Sequence, residues 1–245
     1  MSKPILLDLF CGEGGAGKGY ADAGFMVFGV DRDPKPLYPY PIHVGDALDV
    51  LDRLRAGLGV EFTQPDGGRR TLFIEQIKAV HASPPCQAHS TITPDKSKHV
   101  DLIPDVRERL ERWSQPWVIE NVEGARTALN DPIRLCGSSF GLRVRRHRYF
   151  ESSIHLNDKP CDHKSQGLVV GVYGAHGDGG KEYRRPDGKS RGMKAADTAE
   201  AREVMGMPWA SWHGAAQAVP PAYTDHIGRQ LMAAVSHPKG GDADE

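Results

Sequence analysis

The chain has 245 residues, a formal net charge of -1 and 39% hydrophobic residues. This composition excludes a largely disordered protein, because there are enough apolar side chains to bury a core. A global basic field is also excluded, so any surface that binds nucleic acid must carry its positive charge locally. The length fits one α/β domain with a small additional segment.

Four cysteines are scattered along the chain without the dense spacing of a disulfide framework. The first residues run directly into an apolar strand, without the pattern of a secretory signal, and no apolar run reaches the length of a membrane span. We therefore expect a cytoplasmic protein with free cysteines and no membrane contact. The cysteines are Cys11, Cys86, Cys136 and Cys161.

Short apolar runs alternate with helical patterns through the first half of the chain. Strands are predicted at residues 5–10, 25–31, 41–46, 77–83 and 116–122, a surface hairpin at 61–70, and helices within 11–24, at 47–58 and at 99–114. This alternation predicts an α/β fold with a Rossmann-like, doubly wound parallel sheet. Ligands of such sheets bind outside the carboxyl ends of the strands. The notable residues at those ends are Gly12, Asp31, Asp46, Cys86 and Glu120.

The composition changes after residue 150, where Gly, Lys, Arg and Asp replace large apolar residues. A loop-rich segment at 151–200 is too small for a second full domain, and helical patterns return beyond it. We therefore predict a catalytic domain at 1–150, the short segment at 151–200, a C-terminal segment at 201–235 that returns to the catalytic domain, and a frayed tail at 236–245.

A glycine-rich turn, Gly12-Glu-Gly-Gly-Ala-Gly17, follows the first strand and leads into a helix. Its G-x-G-x-x-G spacing, with Asp31 placed 19 residues after Gly12, is typical of sites for an adenosine-containing ligand. The acid would bind ribose hydroxyls, and Asp46 could accept a hydrogen bond from an adenine amino group. This pattern does not separate NAD from S-adenosylmethionine, and a tight turn without a ligand is the plain alternative.

The stretch His81-Ala-Ser-Pro-Pro-Cys-Gln87 places Cys86 behind two prolines at the end of a predicted strand. Prolines fix φ and remove backbone donors, so this loop is shaped in advance. Glu120 ends the neighbouring strand, and a carboxylate beside a thiol sets a proton donor next to a nucleophile. A buried structural cysteine and an ion-paired surface glutamate are the alternatives.

Basic residues concentrate in two places. The stretch 143–150 is the denser one, and the alternation of Arg146 and Arg148 predicts a strand with both guanidinium groups on one face. The second set lies at 181–194 around Tyr183, where it could dock on a phosphate backbone and read bases. A solvated strand edge and a solvated loop are the alternatives.

Taken together and in this order, the motifs resemble those of the C5-cytosine DNA methyltransferase family, most closely its compact phage-encoded members. The resemblance extends from about residue 5 to about residue 232. We therefore expect a protein that acts in a bacterial or phage-infected cytoplasm. The matching stretches are DLFCGEGG at 8–15, PPCQ at 84–87, ENV at 120–122, RRHRYF at 145–150 and QAVPPAYTDHIGRQL at 217–231.

The resemblance implies a reaction in which the Cys86 thiolate attacks C6 of a cytosine that is flipped out of the DNA duplex. Glu120 would bind or protonate N3, Arg148 would hold the O2 carbonyl, and Arg146 would assist or bind phosphate. The activated C5 would take a methyl group from S-adenosylmethionine. Residues 88–104 would form a loop that closes over the base.

The resemblance also implies binding residues. For S-adenosylmethionine these are Phe10, Gly12, Gly14, Asp31, Asp46, Pro85, Ala218 and Val219. For double-stranded DNA, bound by a monomer, they are Gln87, Ser90, Asn121, Tyr183, Arg184, Arg185 and Arg191. Val144 and Gln217 depart from the family's pattern. The recognition segment is short, so we expect a recognition site of about two to four base pairs, at roughly 1–3 kcal/mol per pair.

Cys161 and His163, with Cys136, His155 and His176 near them in sequence, raise the question of zinc, but their spacing is not that of a standard finger. We therefore predict no metal. Three rival functions stay open: an NAD-dependent oxidoreductase, the same methyl transfer on RNA, and a non-catalytic DNA-binding relative.

Overall fold

The computed structural model of the chain describes residues 3–90, 93–184, 188 and 190–236. Nine of the strands in these ranges form one sheet in the order β5-β4-β3-β2-β1-β6-β7-β9-β8. The strands are β1 (Ile5–Leu9), β2 (Met26–Asp31), β3 (Ile42–Val44), β4 (Val60–Thr63), β5 (Arg69–Leu72), β6 (Ile77–Ala82), β7 (Trp117–Val122), β8 (Ile133–Leu135) and β9 (Arg148–Ser152).

The middle of the sheet is parallel and its edges are antiparallel. Strands β3, β2, β1, β6 and β7 run in one direction, whereas the β4–β5 hairpin and the pair β8 and β9 run against their neighbours. The chain builds outward from β1 to β3 and then returns to the other side of β1 with β6. The carboxyl ends of β1 and β6 therefore meet at the switch point, where such sheets bind ligands.

Helices cover both faces of the sheet, so the predicted doubly wound α/β fold is confirmed. On one face α2 and α3 contribute to a core cluster with β1, β2 and β6, and on the other α1 packs with α6. The Thr224 hydroxyl ties α6 to α1 by donating to the Ala16 carbonyl at 2.8 Å. The helices are α1 (Gly15–Asp22), α2 (Ala47–Arg55), α3 (Ile103–Leu110), α4 (Thr198–Met205), α5 (Trp212–Gln217) and α6 (Pro221–Ser236).

Two predicted elements have different bounds in the structure. The helix expected at 99–114 is the shorter α3, because the Asp101 carboxylate accepts the Ile103 N–H at 3.0 Å and Pro104 occupies the first turn. The arginine strand expected within 143–150, with Arg146 and Arg148 on one face, begins only at Arg148. The predicted hairpin tip within 61–70 is the turn between β4 and β5.

The loop-rich segment contains a small sheet of its own. Strands β10 (Val170–Gly171), β11 (Glu182–Arg184) and β12 (Ser190–Lys194) pair in the order β10-β12-β11. A third core cluster joins this sheet to α4 and α5, with members from Val144 to Ala215. In the described parts of the chain, no helix is long and apolar enough to cross a membrane.

Candidate active site at the sheet switch point

The glycine-rich turn leaves β1 through an unusual backbone path. Phe10 has a φ of 58°, in the left-handed region, and Gly12 follows with a φ of 53°. A Cβ built on Gly12 would meet nothing within 4 Å, so a ligand could approach this backbone closely. The turn is therefore open at Gly12, whereas a Cβ built on Gly14 would lie 3.0 Å from Pro39 and 3.1 Å from Tyr38. The sequence predicts Phe10, Gly12 and Gly14 to contact a cofactor here.

The two predicted adenosine-binding acids lie beside this turn and also hold the local backbone. Asp31 accepts the Gly12 N–H at 2.9 Å through Oδ2, and its Oδ1 lies 3.2 Å from the Lys35 ammonium group. Asp46 is the N-cap of α2 and accepts the Leu48 N–H at 2.8 Å. Each carboxylate would therefore bind a ligand from a position that the protein itself has fixed.

A C-terminal segment closes the glycine-rich turn from the other side. A Cβ on Gly15 would lie 2.5 Å from the Val219 carbonyl oxygen and 2.8 Å from the Ala218 Cβ, so both predicted residues press directly against the turn. The sequence analysis missed the anchor of this arrangement. The Glu13 carboxylate accepts the Ser211 N–H at 2.7 Å, and the Glu13 carbonyl accepts the Trp209 indole N–H at 2.7 Å.

The cysteine loop follows β6 and is held by the neighbouring strand. Asn121, on β7, donates from Nδ2 to the Pro84 carbonyl at 3.0 Å and is only 1% exposed. Its side chain therefore positions the loop, and this role replaces the predicted contact with DNA. Beyond it, Pro85 is exposed and Cys86 half-buried, and the Cys86 carbonyl accepts the Ser90 N–H at 2.8 Å.

Glu120 and Arg148 form a buried pair next to this loop. Glu120 is 5% exposed, and Arg148 Nε lies 2.9 Å from its Oε1 at an angle unsuited to a hydrogen bond. Among the described residues, no donor completes a hydrogen bond to that oxygen. Burial raises the pKa of Glu120, while Arg148 and a hydrogen bond from Ser83 act in the opposite direction. The carboxyl group therefore gains a proton more readily than a surface glutamate.

Ser83 is supported by a chain of buried polar groups that begins at Tyr20. The Tyr20 hydroxyl lies 2.9 Å from Nδ1 of His81, and Nε2 of His81 lies 2.8 Å from the Ser83 hydroxyl. Burial lowers the pKa of His81 to about 3, so the ring is neutral at ordinary pH. If Ser83 donates to Glu120, then His81 carries its proton on Nε2 and accepts from Tyr20.

The Cys86 thiol is surrounded by charges of both signs. Burial raises its pKa first of all; Arg148 then lowers it, Glu120 raises it, and Arg146 has a smaller lowering effect. The resting group is therefore a thiol. A proton on Glu120 would remove one of the charges that oppose the thiolate, so the states of Cys86 and Glu120 are linked.

Arg146 does not lie on one strand face with Arg148, so the predicted alternation is wrong at this point. The backbone of Arg146 has a φ of 33°, and its guanidinium group donates to the Ala215 carbonyl at 3.2 Å, to the Ala218 carbonyl at 2.6 Å and to the Val172 carbonyl. Burial, followed by repulsion from Arg148, lowers its pKa to about 9. In this structure Arg146 joins the small sheet to the C-terminal segment.

The other predicted DNA contacts lie on exposed segments. Gln87 is exposed in the cysteine loop, where Ser90 is partly buried. Tyr183 donates its hydroxyl hydrogen to Asp178 at 2.7 Å, and Arg184 pairs with Glu182 at 2.7 Å. Arg185 lies outside the described residues; Arg191 belongs to β12, but its side chain lies outside the described part of the structure.

These features define a class of protein. The chain has the Rossmann-like fold of methyltransferases, with a glycine-rich turn and a cysteine loop at the switch point of the sheet. Its structure is similar to that of a protein described as a DNA modification methyltransferase encoded within prophage Cp (E. coli), with a TM-score of 0.58 and 16% identity over 95% of this chain and 99% of that one. A second similar structure is the methyltransferase EhMeth of Entamoeba histolytica, with a TM-score of 0.53 and 11% identity over 96% of this chain and 99% of that one.

In sequence, the chain is similar to the Type II methyltransferase M.AgeI of Thalassovita gelatinovora. The two are 31% identical over 124 residues, which are 48% of this chain and 28% of that protein. The match therefore spans less than a third of the length of this curated relative. No protein-family model matches the chain. The resemblance to DNA methyltransferases that the sequence motifs predict is confirmed by this likeness in sequence and fold.

Proposed function

We propose that the protein is a DNA (cytosine-5-)-methyltransferase that forms a covalent bond between Cys86 and C6 of a flipped-out cytosine. The observation that carries this proposal is the Glu120–Arg148 pair, buried and 2.9 Å apart, whose charges act on the thiol of the adjoining cysteine loop. A nucleophile, an acid and a fixed cation in one cleft are the groups that this addition requires.

Cys86 would act as the nucleophile. Its thiolate adds to C6, and the electrons of the C5–C6 double bond move to C5 and onward into the N3 and O2 region of the ring. Carbon 5 would then form its bond to the methyl group while the bond between that methyl carbon and the sulfonium sulfur breaks, leaving a neutral thioether. Loss of the C5 proton to solvent restores the double bond, and the C6–S bond breaks to return the thiolate.

Glu120 and Arg148 would stabilise the negative charge that the addition creates. Because burial raises the pKa of Glu120, its carboxyl group can donate a proton or hydrogen bond to N3. Arg148, held at the start of β9 by its contact with Glu120, can donate to O2. Arg146 would position the turn that carries Arg148 rather than touch the base, since its donors are already bound to backbone carbonyls.

The open turn at Gly12 supports the assignment of S-adenosylmethionine, because the backbone there leaves room for a close ligand. Phe10, Gly12, Gly14 and Asp31 would hold its methionine and ribose portions, Asp46 its adenine. Pro85, Ala218 and Val219 would enclose it from the cysteine loop and the C-terminal segment. When bound, S-adenosylmethionine supplies the electrophilic methyl group.

Double-stranded DNA would be the substrate, bound by a monomer in the bacterial or phage-infected cytoplasm. The net charge of -1 means that affinity must come from local groups. Two of the proposed contacts, Gln87 and Ser90, lie in the cysteine loop. The other two, Tyr183 and Arg184, lie on β11 of the small sheet. The small sheet and its packed helices α4 and α5 would form the recognition unit. Their small size supports a recognition site of about two to four base pairs.

The test is a covalent trap. Duplexes that carry 5-fluorocytosine are incubated with the protein and S-adenosylmethionine and resolved on a denaturing gel. Fluorine cannot leave C5 as a proton does, so a methylating enzyme should stall as a protein–DNA adduct. The adduct should be absent with Cys86→Ser, and an unfluorinated duplex is the matched control.

An RNA substrate is tested in the same gel with fluorinated transcripts. Adducts on RNA but not on DNA would overturn the substrate assignment and retain the reaction. A folded protein that shows a thermal shift with S-adenosylmethionine but forms no adduct with either nucleic acid would overturn the reaction itself. A shift with NAD but not with S-adenosylmethionine would favour an oxidoreductase.

A further inference from the structure

Four metal-binding side chains meet at one point, close to the arginine turn but apart from the proposed reaction. Cys136, His147, Cys161 and His163 each direct one ligand atom to this point, and all four atoms lie within 4.8 Å of one another. Cys136 and His163 are 27 positions apart in sequence, so tertiary folding alone brings them together. Among the described residues, this is the one place where three or more histidine, cysteine or acidic side chains lie close enough together to hold a metal ion.

Three separations between ligand atoms lie within about 0.3 Å of the edges of a tetrahedral zinc site. Zn–N bonds of about 2.05 Å and Zn–S bonds of about 2.3 Å give tetrahedral edges of about 3.3 Å for N–N and about 3.6 Å for S–N. The observed separation of the two Nε2 atoms of His147 and His163 is 3.3 Å. The two observed S–N separations are 3.3 Å, from Cys136 to His163, and 3.6 Å, from Cys161 to His147.

We propose that Cys136, His147, Cys161 and His163 bind a structural zinc ion. Two thiolates and two imidazoles are a common donor set for zinc. A [2Fe–2S] cluster with the same donors binds the cysteines and the histidines to different irons, which would hold sulfur and nitrogen farther apart than the 3.3 and 3.6 Å found here. All four positions are filled by protein, which is typical of structural rather than catalytic zinc. This inference therefore stands apart from the proposed methyl transfer and does not depend on it.

Neighbouring groups support metal ligation by the cysteine and the histidine. The Ser138 hydroxyl donates to the Cys136 sulfur at 3.1 Å, and the Asp162 N–H fixes that hydroxyl at 3.1 Å. The Cys136 thiol itself donates to the Arg145 carbonyl at 3.1 Å, and on metal binding it would lose this proton while the Ser138 hydrogen bond stabilised the thiolate. On the far side of the His147 ring, Nδ1 lies 3.8 Å from a carboxylate oxygen of Glu123. Carboxylates behind ligating histidines commonly orient the ring.

The position of the site suggests what the ion holds together. Cys136 directly follows β8, His147 lies between Arg146 and Arg148, and Cys161 and His163 lie on the loop after β9. That loop has no regular helix or strand between Ser152 and Val170 in the described structure, which is long for a compact domain. A zinc ion would fasten this loop to the turn that delivers Arg148.

The first experiment measures metal content in the full chain. Protein produced with zinc in the medium and desalted should contain about one zinc per chain by mass spectrometry. Replacing the zinc with Co²⁺ should give the visible absorption of tetrahedral cobalt with thiolate charge-transfer bands. Fewer than about one-tenth zinc per chain, together with the weak spectrum of octahedral cobalt, would overturn the proposal.

Matched variants locate the site. His163→Ala should reduce the metal content at least about tenfold at equal free zinc, whereas His155→Ala, an exposed histidine eight positions earlier, should retain one zinc. If His163→Ala does not fold, Cys161→His decides instead, because it preserves a ligand. It should still bind Co²⁺, with about half the thiolate absorption. A Cys161→His spectrum identical to that of the parent, or unchanged metal in folded His163→Ala, would exclude these ligands.

Discussion

The residues at the sheet edge around Cys86 and those in the cluster around His163 are positioned by different kinds of structure. At the sheet edge, each important residue lies in a regular strand or follows one closely, so β1, β2, β6 or β7 sets its position. In the cluster, the ligands lie in turns and in a long loop, where secondary structure fixes little. Polar groups can thus be brought together either by regular strands or by mutual attraction to a common ion. The two regions should respond differently to substitution.

The largest effect is expected from Cys86→Ser. Its hydroxyl is a far weaker nucleophile at neutral pH, so methyl transfer to DNA should fall by more than about a thousandfold. The melting temperature should change little, because Cys86 is half-buried and belongs to none of the three core clusters found in the described residues. Labelled-methyl incorporation and thermal unfolding are measured on the same preparation. Residual activity within tenfold of the parent would remove Cys86 from the reaction.

Glu120→Gln should lower the rate by about 10²–10⁴-fold. The amide retains the shape of the carboxyl group but cannot pass a proton to N3, and it removes the charge that pairs with Arg148. The maximal rate and the affinity for DNA are measured separately. A loss confined to DNA affinity would show that Glu120 supports binding rather than the chemical step.

Cys161→Ser should lower thermal stability more than methyl transfer, the opposite of what is expected for Cys86→Ser. Loss of one zinc ligand should lower the melting temperature by about 5–10 °C, since metal binding contributes directly to folding free energy. Added zinc should raise the melting temperature of the parent more than that of the variant. Equal melting temperatures for parent and variant, with and without a chelator, would contradict the difference drawn between the two regions.

Asp8, in the middle of β1, should make the stability of the sheet depend on pH. Burial raises its pKa to about 8, from an ordinary value of 3.8, so the folded protein retains a proton that the unfolded chain releases. The contribution of Asp8 to the free energy of unfolding is complete below about pH 4 and is lost as pH rises through about 8. The loss amounts to several kcal/mol. Asp8→Asn should flatten this loss. Urea unfolding at pH 5 and pH 8.5 measures the free energy of unfolding of the parent and of Asp8→Asn. An equal decrease between the two pH values in both proteins would refute the prediction.

The smallest effect is expected from Ser83→Ala. The Ser83 hydroxyl lowers the pKa of Glu120, so its removal should move the pKa further upward. If Glu120 acts as an acid, the alkaline limb of the rate profile should then shift to higher pH, by about one unit or less. The limb that belongs to Glu120 is the one that disappears in Glu120→Gln. An alkaline limb that does not move in Ser83→Ala would show that Ser83 does not affect the pKa of the catalytic acid.

Much of the sheet edge was predictable from the sequence, because strand ends can be recognised from short apolar runs followed by glycine or proline. The parallel sheet and the convergence of Gly12, Cys86 and Glu120 follow from that pattern alone. The role of Asn121 was not predictable, since its motif says nothing about whether the amide faces the ligand or the Pro84 carbonyl.

The complete cluster could not be predicted, for a different physical reason. The sequence drew attention to Cys136, Cys161 and His163, but it missed His147 and led to an expectation of no metal, which the zinc proposal reverses. The ligands of the cluster are 11, 14 and 2 positions apart along the chain, and such spacing carries no signature. His147 was also hidden between two arginines, whose pattern predicted a regular strand. In the structure, Arg146 has a φ of 33° and β9 starts after His147, whose Nε2 lies 3.3 Å from His163 and 3.6 Å from the Cys161 sulfur.

The turn at Arg146 has a thermodynamic consequence. Arg146 contacts the Val172 carbonyl, directly after β10, and the Ala218 carbonyl beside the glycine-rich turn, so one side chain connects the two proposed ligand sites. If DNA shifts one contact and the cofactor shifts the other, the two binding free energies are no longer independent. Linkage then requires each ligand to change the affinity for the other by the same factor. A single arginine would thus make the binding of one ligand cooperative or anticooperative with the binding of the other.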